Sequence, residues 1–89
     1  MREKRIKYYD SGKTFFEVNF NDNDKKDGLS TSWYENGQKM SEGNYKNGEF
    51  NGRFTEWYKN GQKKYEGNWK DGKLEGLWTE WWENGEIVS

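Results

Sequence analysis

Two carboxylates and a hydroxyl stand at matching places in this chain: Ser32, Glu56 and Glu80 follow one another at intervals of 24 residues. Aromatic residues surround them, and paired carboxylates beside rings are what a glycosidase uses as acid and base. A plainer reading outweighs that one. In the hairpin register derived below, Lys39 faces Glu56 and Lys63 faces Glu80, which makes cross-strand ion pairs. Glu42 opposite Arg53 reads the same way. The rest of the catalytic repertoire is thin. The chain has no His and no Cys, which removes the commonest general base and metal ligand and the thiolate nucleophile. Asp22, Asn23 and Asp24 form an acidic loop without the remaining ligands of a calcium site. The expectation is a protein that is not an enzyme and needs neither metal nor cofactor.

Lysines interleaved with rings suggest a second chemistry, a platform on which single-stranded nucleic-acid bases stack. Such a platform needs a positive groove along the phosphates. Here 15 basic and 16 acidic residues interleave to a net charge of −1, so nucleic acid is the alternative and a protein partner the preferred reading. No apolar run is fit for a signal peptide after Met1-Arg2-Glu3-Lys4-Arg5, or for a membrane span anywhere. No basic patch or amphipathic helix invites a lipid surface. A soluble, cytoplasmic protein is expected.

What positions these residues is a repeat. Asn36-Gly37, Asn60-Gly61 and Asn84-Gly85 are 24 residues apart, as are Gly28, Gly52 and Gly76, and Trp33, Trp57 and Trp81. That period signals an array of one small supersecondary unit. Pro is absent and no segment carries apolar residues at helical spacing. Asn-Gly or Asp-Gly recurs at positions 36, 47, 60, 71 and 84, and each suits the two positive-φ places of a type I′ hairpin. The fold expected is all-β: a single-layer antiparallel meander of hairpins, elongated and curved. One domain spans 1–89, with a divergent cap at 1–27, repeats at 28–51 and 52–75, and a partial repeat at 76–89. In the cap, Tyr8 to Gly12 matches Trp33 to Gly37, and the second tight turn becomes a longer loop within Asn21 to Asp27. Ile87-Val88-Ser89 is expected to fray.

Two-residue turns also predict register. Around Asn60-Gly61, Tyr58 faces Lys63, Glu56 faces Tyr65, Phe54 faces Gly67 and Gly52 faces Trp69. Around Asp71-Gly72, Trp69 faces Leu74, Gly67 faces Gly76, Tyr65 faces Trp78 and Lys63 faces Glu80. One face then collects Tyr34, Tyr45, Phe50, Phe54, Tyr58, Tyr65, Trp69, Leu74, Trp78 and Trp82. The other carries Trp33, Trp57 and Trp81 among polar residues. Gly43 falls opposite Gly52, which leaves bare backbone for Phe54 and Trp69 to lie across. Bent at every repeat, the sheet curls around its ring-lined side.

The strings Gly52-Arg-Phe-Thr-Glu-Trp-Tyr-Lys-Asn-Gly61 and Tyr65-Glu-Gly-Asn-Trp-Lys-Asp-Gly-Lys-Leu-Glu-Gly76 resemble MORN repeats. They are most similar to the variant in bacterial proteins of the YwqK antitoxin type. The resemblance covers nearly the whole chain and departs in the first copy, where Val18 replaces the mid-strand glycine. It implies a protein-interaction scaffold, and in the bacterial variant an antitoxin or immunity component that neutralises a toxin by binding it.

Aromatics are 19% of a chain only 29% hydrophobic, so rings must supply the packing area. A single sheet leaves one apolar face uncovered, and such patches mark interfaces. The candidate contact residues are Tyr45, Phe54, Glu56, Tyr58, Tyr65, Trp69, Trp78, Glu80 and Trp82, with Trp33, Arg53, Trp57 and Trp81 as candidates on the second face. The function expected is that of a small bacterial inhibitor (antitoxin, immunity or anti-defence protein) of a toxin or effector enzyme. A self-assembling scaffold, pairing through open sheet edges, is the third reading. Lys4, Arg5 and Lys7 blunt the first edge, and the last edge is barely protected.

Overall fold

The computed structural model describes residues 3–88, so Met1, Arg2 and Ser89 lie outside it. Seven strands form one antiparallel sheet in chain order. They are β1 (Glu3–Tyr8), β2 (Thr14–Phe20), β3 (Gly28–Trp33), β4 (Lys39–Lys46), β5 (Glu49–Trp57), β6 (Lys63–Lys70) and β7 (Lys73–Glu80). The described residues contain no helix. Hence no helix is long and apolar enough to cross a membrane. The Cα trace measures 43 × 37 × 10 Å. One flat sheet would be far thinner than 10 Å, so the third dimension records twist and curl.

The hairpins close in two ways. At Asn47-Gly48 and Asp71-Gly72 both central residues have positive φ (50° and 88°, 52° and 80°), which makes the expected two-residue loop. At Asn36-Gly37, Asn60-Gly61 and Asn84-Gly85 only the glycine does. There Gly37 N–H donates to the Tyr34 carbonyl (3.0 Å) and Tyr34 N–H to the Gln38 carbonyl (2.8 Å), a three-residue loop ending in a left-handed glycine. The side chain of Asn36 explains the choice. Its Oδ1 accepts from Gln38 N–H, and its Nδ2 donates to the Lys59 carbonyl of the next hairpin, both at 2.9 Å. Asn60 does the same with Gln62 and Glu83. The cap repeats this loop at Tyr9 to Lys13.

The wider loops and the glycines correct the expected register in three places. Trp57, not Tyr58, faces Lys63, and the ladder recovers by a bulge that leaves Lys64 unpaired, so Glu56–Tyr65, Phe54–Gly67 and Gly52–Trp69 hold. Between β4 and β5 the pairing steps from Tyr45–Phe50 to Gly43–Phe54, four residues of β5 against two of β4. Gly52, at φ +111° in that bulge, takes a backbone shape that strongly favours glycine. Thus Gly43 faces Phe54 and not Gly52. In the same way β6 and β7 step from Asn68–Glu75 to Glu66–Thr79, which overturns Gly67–Gly76, Tyr65–Trp78 and Lys63–Glu80. A shift of two preserves the face of every side chain, so the two-faced reading of the strands survives.

No apolar side chain is fully buried among the described residues. The buried side chains are Thr31 and Thr55, at 8% and 5% exposure, each donating to a glutamate one strand over (Glu42 and Glu66, 3.2 Å). The Ile87-Val88 segment is not frayed: Ile87 bridges Trp81, and Val88 N–H donates to the Glu80 carbonyl (2.8 Å).

Candidate functional site

Alternation along β4 to β7 brings Tyr45, Phe50, Phe54, Tyr65, Trp69 and Trp78 to one face, where their rings form a connected row. Phe50 is its hub, 4.7 Å from Tyr45, 4.8 Å from Phe54 and 5.4 Å from Trp69 between ring centroids. From Phe54 the row continues to Tyr65 (5.9 Å) and Trp78 (6.3 Å). These are normal aromatic packing distances. The mid-strand glycines make it compact. A Cβ on Gly43 would stand 2.7 Å from the Phe54 ring, so that ring lies against bare backbone as expected. Trp69 does not lie over Gly52, whose neighbour is Asn44; it leans on Phe50.

Glu56 and Glu80 share this face, on either side of Tyr65. The lysines expected to pair with them are elsewhere. Lys39 binds Glu42 (2.9 Å) and Lys63 binds Glu66 (3.0 Å) on the opposite face, and Glu42 faces Thr55 instead of Arg53. The register steps cause this, because they carry β5 and β7 two residues further along their partners. Glu80 accepts from the Trp78 indole at 3.0 Å. The Lys63 hydrogen bond holds the Glu66 carboxyl below its ordinary value, outweighing desolvation, and Thr55 adds to the effect. Burial pushes the Tyr45 phenol above its ordinary value.

Tyr58 and Trp82 are not in the row, because past Trp57 and Trp81 the chain has entered the wide turn. The Tyr58 hydroxyl donates to the Trp81 carbonyl (2.8 Å). Trp33, Trp57 and Trp81 stand half-buried on the second face, with the Lys39 ammonium 5.9 Å over the Trp57 ring. Arg53 is exposed beside them, opposite Asn68.

The row ends at β4, and a cavity begins there. About 390 Å³ in volume, it lies between β2 and β5 on the same face. Its floor is Ser30, Ser32, Ser41 and Gly43; its walls are Phe16, Val18 and Phe20 on one side and Tyr45 and Phe54 on the other. Sequence reasoning missed it, although aligning the repeats exposes the signal. Ser30 stands where Phe54 and Trp78 stand, and Ser41 where Tyr65 stands.

Among the described residues no group of acidic side chains is placed to hold a metal ion. A family model described as a MORN repeat variant matches residues 26–47, 50–71 and 74–89, most of the chain. No curated protein and no solved structure matches the chain significantly.

Proposed function

The chain belongs to the MORN repeat variant family, and from that premise we propose that it is a bacterial, cytoplasmic inhibitor acting by binding rather than catalysis. Repeats of this family are commonly protein- or lipid-binding modules. The partner proposed is a protein, such as a toxin or effector enzyme, neutralised by occlusion against the aromatic face. One observation carries the reading: a ring row running from Tyr45 to Trp78 with no second layer over it among the described residues. Rings at the centre of a patch are the residues whose burial supplies most binding energy. Glu56 and Glu80, free of the lysines expected to neutralise them, would meet basic groups of the partner. Open edge pairing through β7 is a second mode by which a partner strand or another copy could add to the sheet.

The test is capture of partners by the tagged protein from its host, with and without nuclease. One stoichiometric protein that survives nuclease supports the reading, and Phe50→Ala in that assay should weaken recovery at least tenfold. Recovery lost with nuclease would transfer the face to single-stranded nucleic acid. Recovery of the chain alone would leave the self-assembling scaffold.

A further inference from the structure

We propose that the serine-floored cavity is a socket for one aromatic side chain of a protein partner, carried beside a carboxylate. The inference rests on the protein-binding reading and names what that partner must present. The floor is made of residues that break the repeat. At the place of Ser41 the neighbouring units carry Phe16 and Tyr65, and at the place of Ser30 the later units carry Phe54 and Trp78. Part of this is exchange of size. Where β4 and β6 have Gly43 and Gly67 under a large side chain of the next strand, β2 has Val18 and β3 answers with Ser30. That exchange accounts for Ser30 but not for Ser41, whose smaller side chain interrupts the ring row and leaves the space open.

The chemistry of the socket is specific. Ser32 and Ser41 satisfy each other through a hydrogen bond of 2.5 Å. The Ser30 hydroxyl is buried without a partner among the described residues, an unsatisfied polar group beneath the floor of the hollow. Two cations stand at the rim over ring walls: the Arg5 guanidinium 4.5 Å above Phe20 and the Lys26 ammonium 5.0 Å above Tyr45. Glu3 takes up part of the Arg5 charge (3.1 Å). An apolar, ring-walled hollow with a positive rim selects an aromatic body bearing a negative group and rejects a cation. Tyr45 and Phe54 belong to both the socket and the ring row. A seated side chain would therefore continue a contact along that row, as the side chain of a protein partner lying on the face would.

The probes are indole-3-propionate and its cationic counterpart tryptamine, titrated into the full chain while backbone amide shifts are followed by NMR. Saturable shifts at Ser30, Ser32 and Ser41 are expected with the carboxylate, at an affinity at least tenfold above that for tryptamine. Val18→Gly with Ser30→Phe rebuilds the glycine–ring pairing of the later repeats and should abolish the shifts while keeping the thermal midpoint. If that pair misfolds, Lys26→Glu on the exposed loop should weaken the carboxylate probe at least tenfold at an unchanged midpoint. Equal binding of both probes, or no saturable shift, overturns the socket. Once a partner is in hand, its undiminished capture by the filled variant overturns the socket while the protein-binding reading stands. Probe binding without any captured protein sinks that reading instead.

Discussion

Tyrosine hydroxyls tie each hairpin to the next. Tyr9, Tyr34 and Tyr58 donate to the carbonyls of Trp33, Trp57 and Trp81 at 2.7, 2.7 and 2.8 Å. Tyr34→Phe keeps the ring and removes only the bond, so urea unfolding should show a loss of about 1 kcal/mol. Trp69→Ala should cost more, about 3 kcal/mol, because it strips an indole from Phe50 at the hub of the row. Trp57→Ala, half-exposed on the second face, should cost about 1 kcal/mol. An unchanged midpoint for Trp69→Ala would mean that the faces are misassigned. Acid should reveal Glu66. Its folded carboxyl titrates below the unfolded one, so its contribution is whole above the unfolded value and is lost as pH falls through the folded one. Urea midpoints of the wild type and Lys63→Met should therefore converge on acidification. At this scale the ring positions were legible, since alternation alone assigns Tyr45, Phe54, Tyr65, Trp69 and Trp78 to one face. Tyr58 and Trp82 were not, because each opens a wide three-residue turn, where strand alternation no longer sets the face.

Within the elements, the same dipeptide closes two kinds of hairpin, and this is where reading from sequence fails for a physical reason. Asn47 takes positive φ, whereas Asn36 and Asn60 spend their side chains on the backbone of their own loop and of the next one. Dipeptide preference carries no information about that second partner. Glycine spacing was equally ambiguous. Gly43 and Gly52 both read as bare mid-strand positions, yet Gly43 receives a ring and Gly52 makes a bulge. The pairing of strand glycine with ring gives a coupled prediction. Gly43→Val should destabilise by about 1–3 kcal/mol, since a Cβ there collides with Phe54. Combining it with Phe54→Ser reproduces the pairing of Val18 on β2 with Ser30 on β3. The double variant should be more stable than the sum of the single losses implies, a coupling that a double-mutant cycle in urea measures. Strict additivity would mean that the size exchange between β2 and β3 is incidental.

For the whole molecule, one layer has consequences that no single contact shows. Stability must come from strand pairing and half-buried rings, because the described residues contain no fully buried apolar side chain. The same architecture leaves two edges, and they differ. On β1, Lys4, Arg5 and Lys7 line up with Lys4 bound to Glu17 (3.1 Å), and charge of that kind discourages pairing. On β7, the Ile87-Val88 return covers only the Glu80 to Trp82 end. Beside it stand Leu77 at 93% exposure, Trp82 at 57% and Ile87 at 65%. An apolar, unpaired strand is a template for another strand. Sedimentation of the wild type should thus show concentration-dependent dimers, and Leu77→Lys with Ile87→Lys should return it to a monomer. Because Leu77 lies in the β7 bulge, outside the ring row, that variant should keep its thermal midpoint and any partner bound on the aromatic face. If the partner is lost together with the dimer, the edge and not the face is where this sheet does its binding.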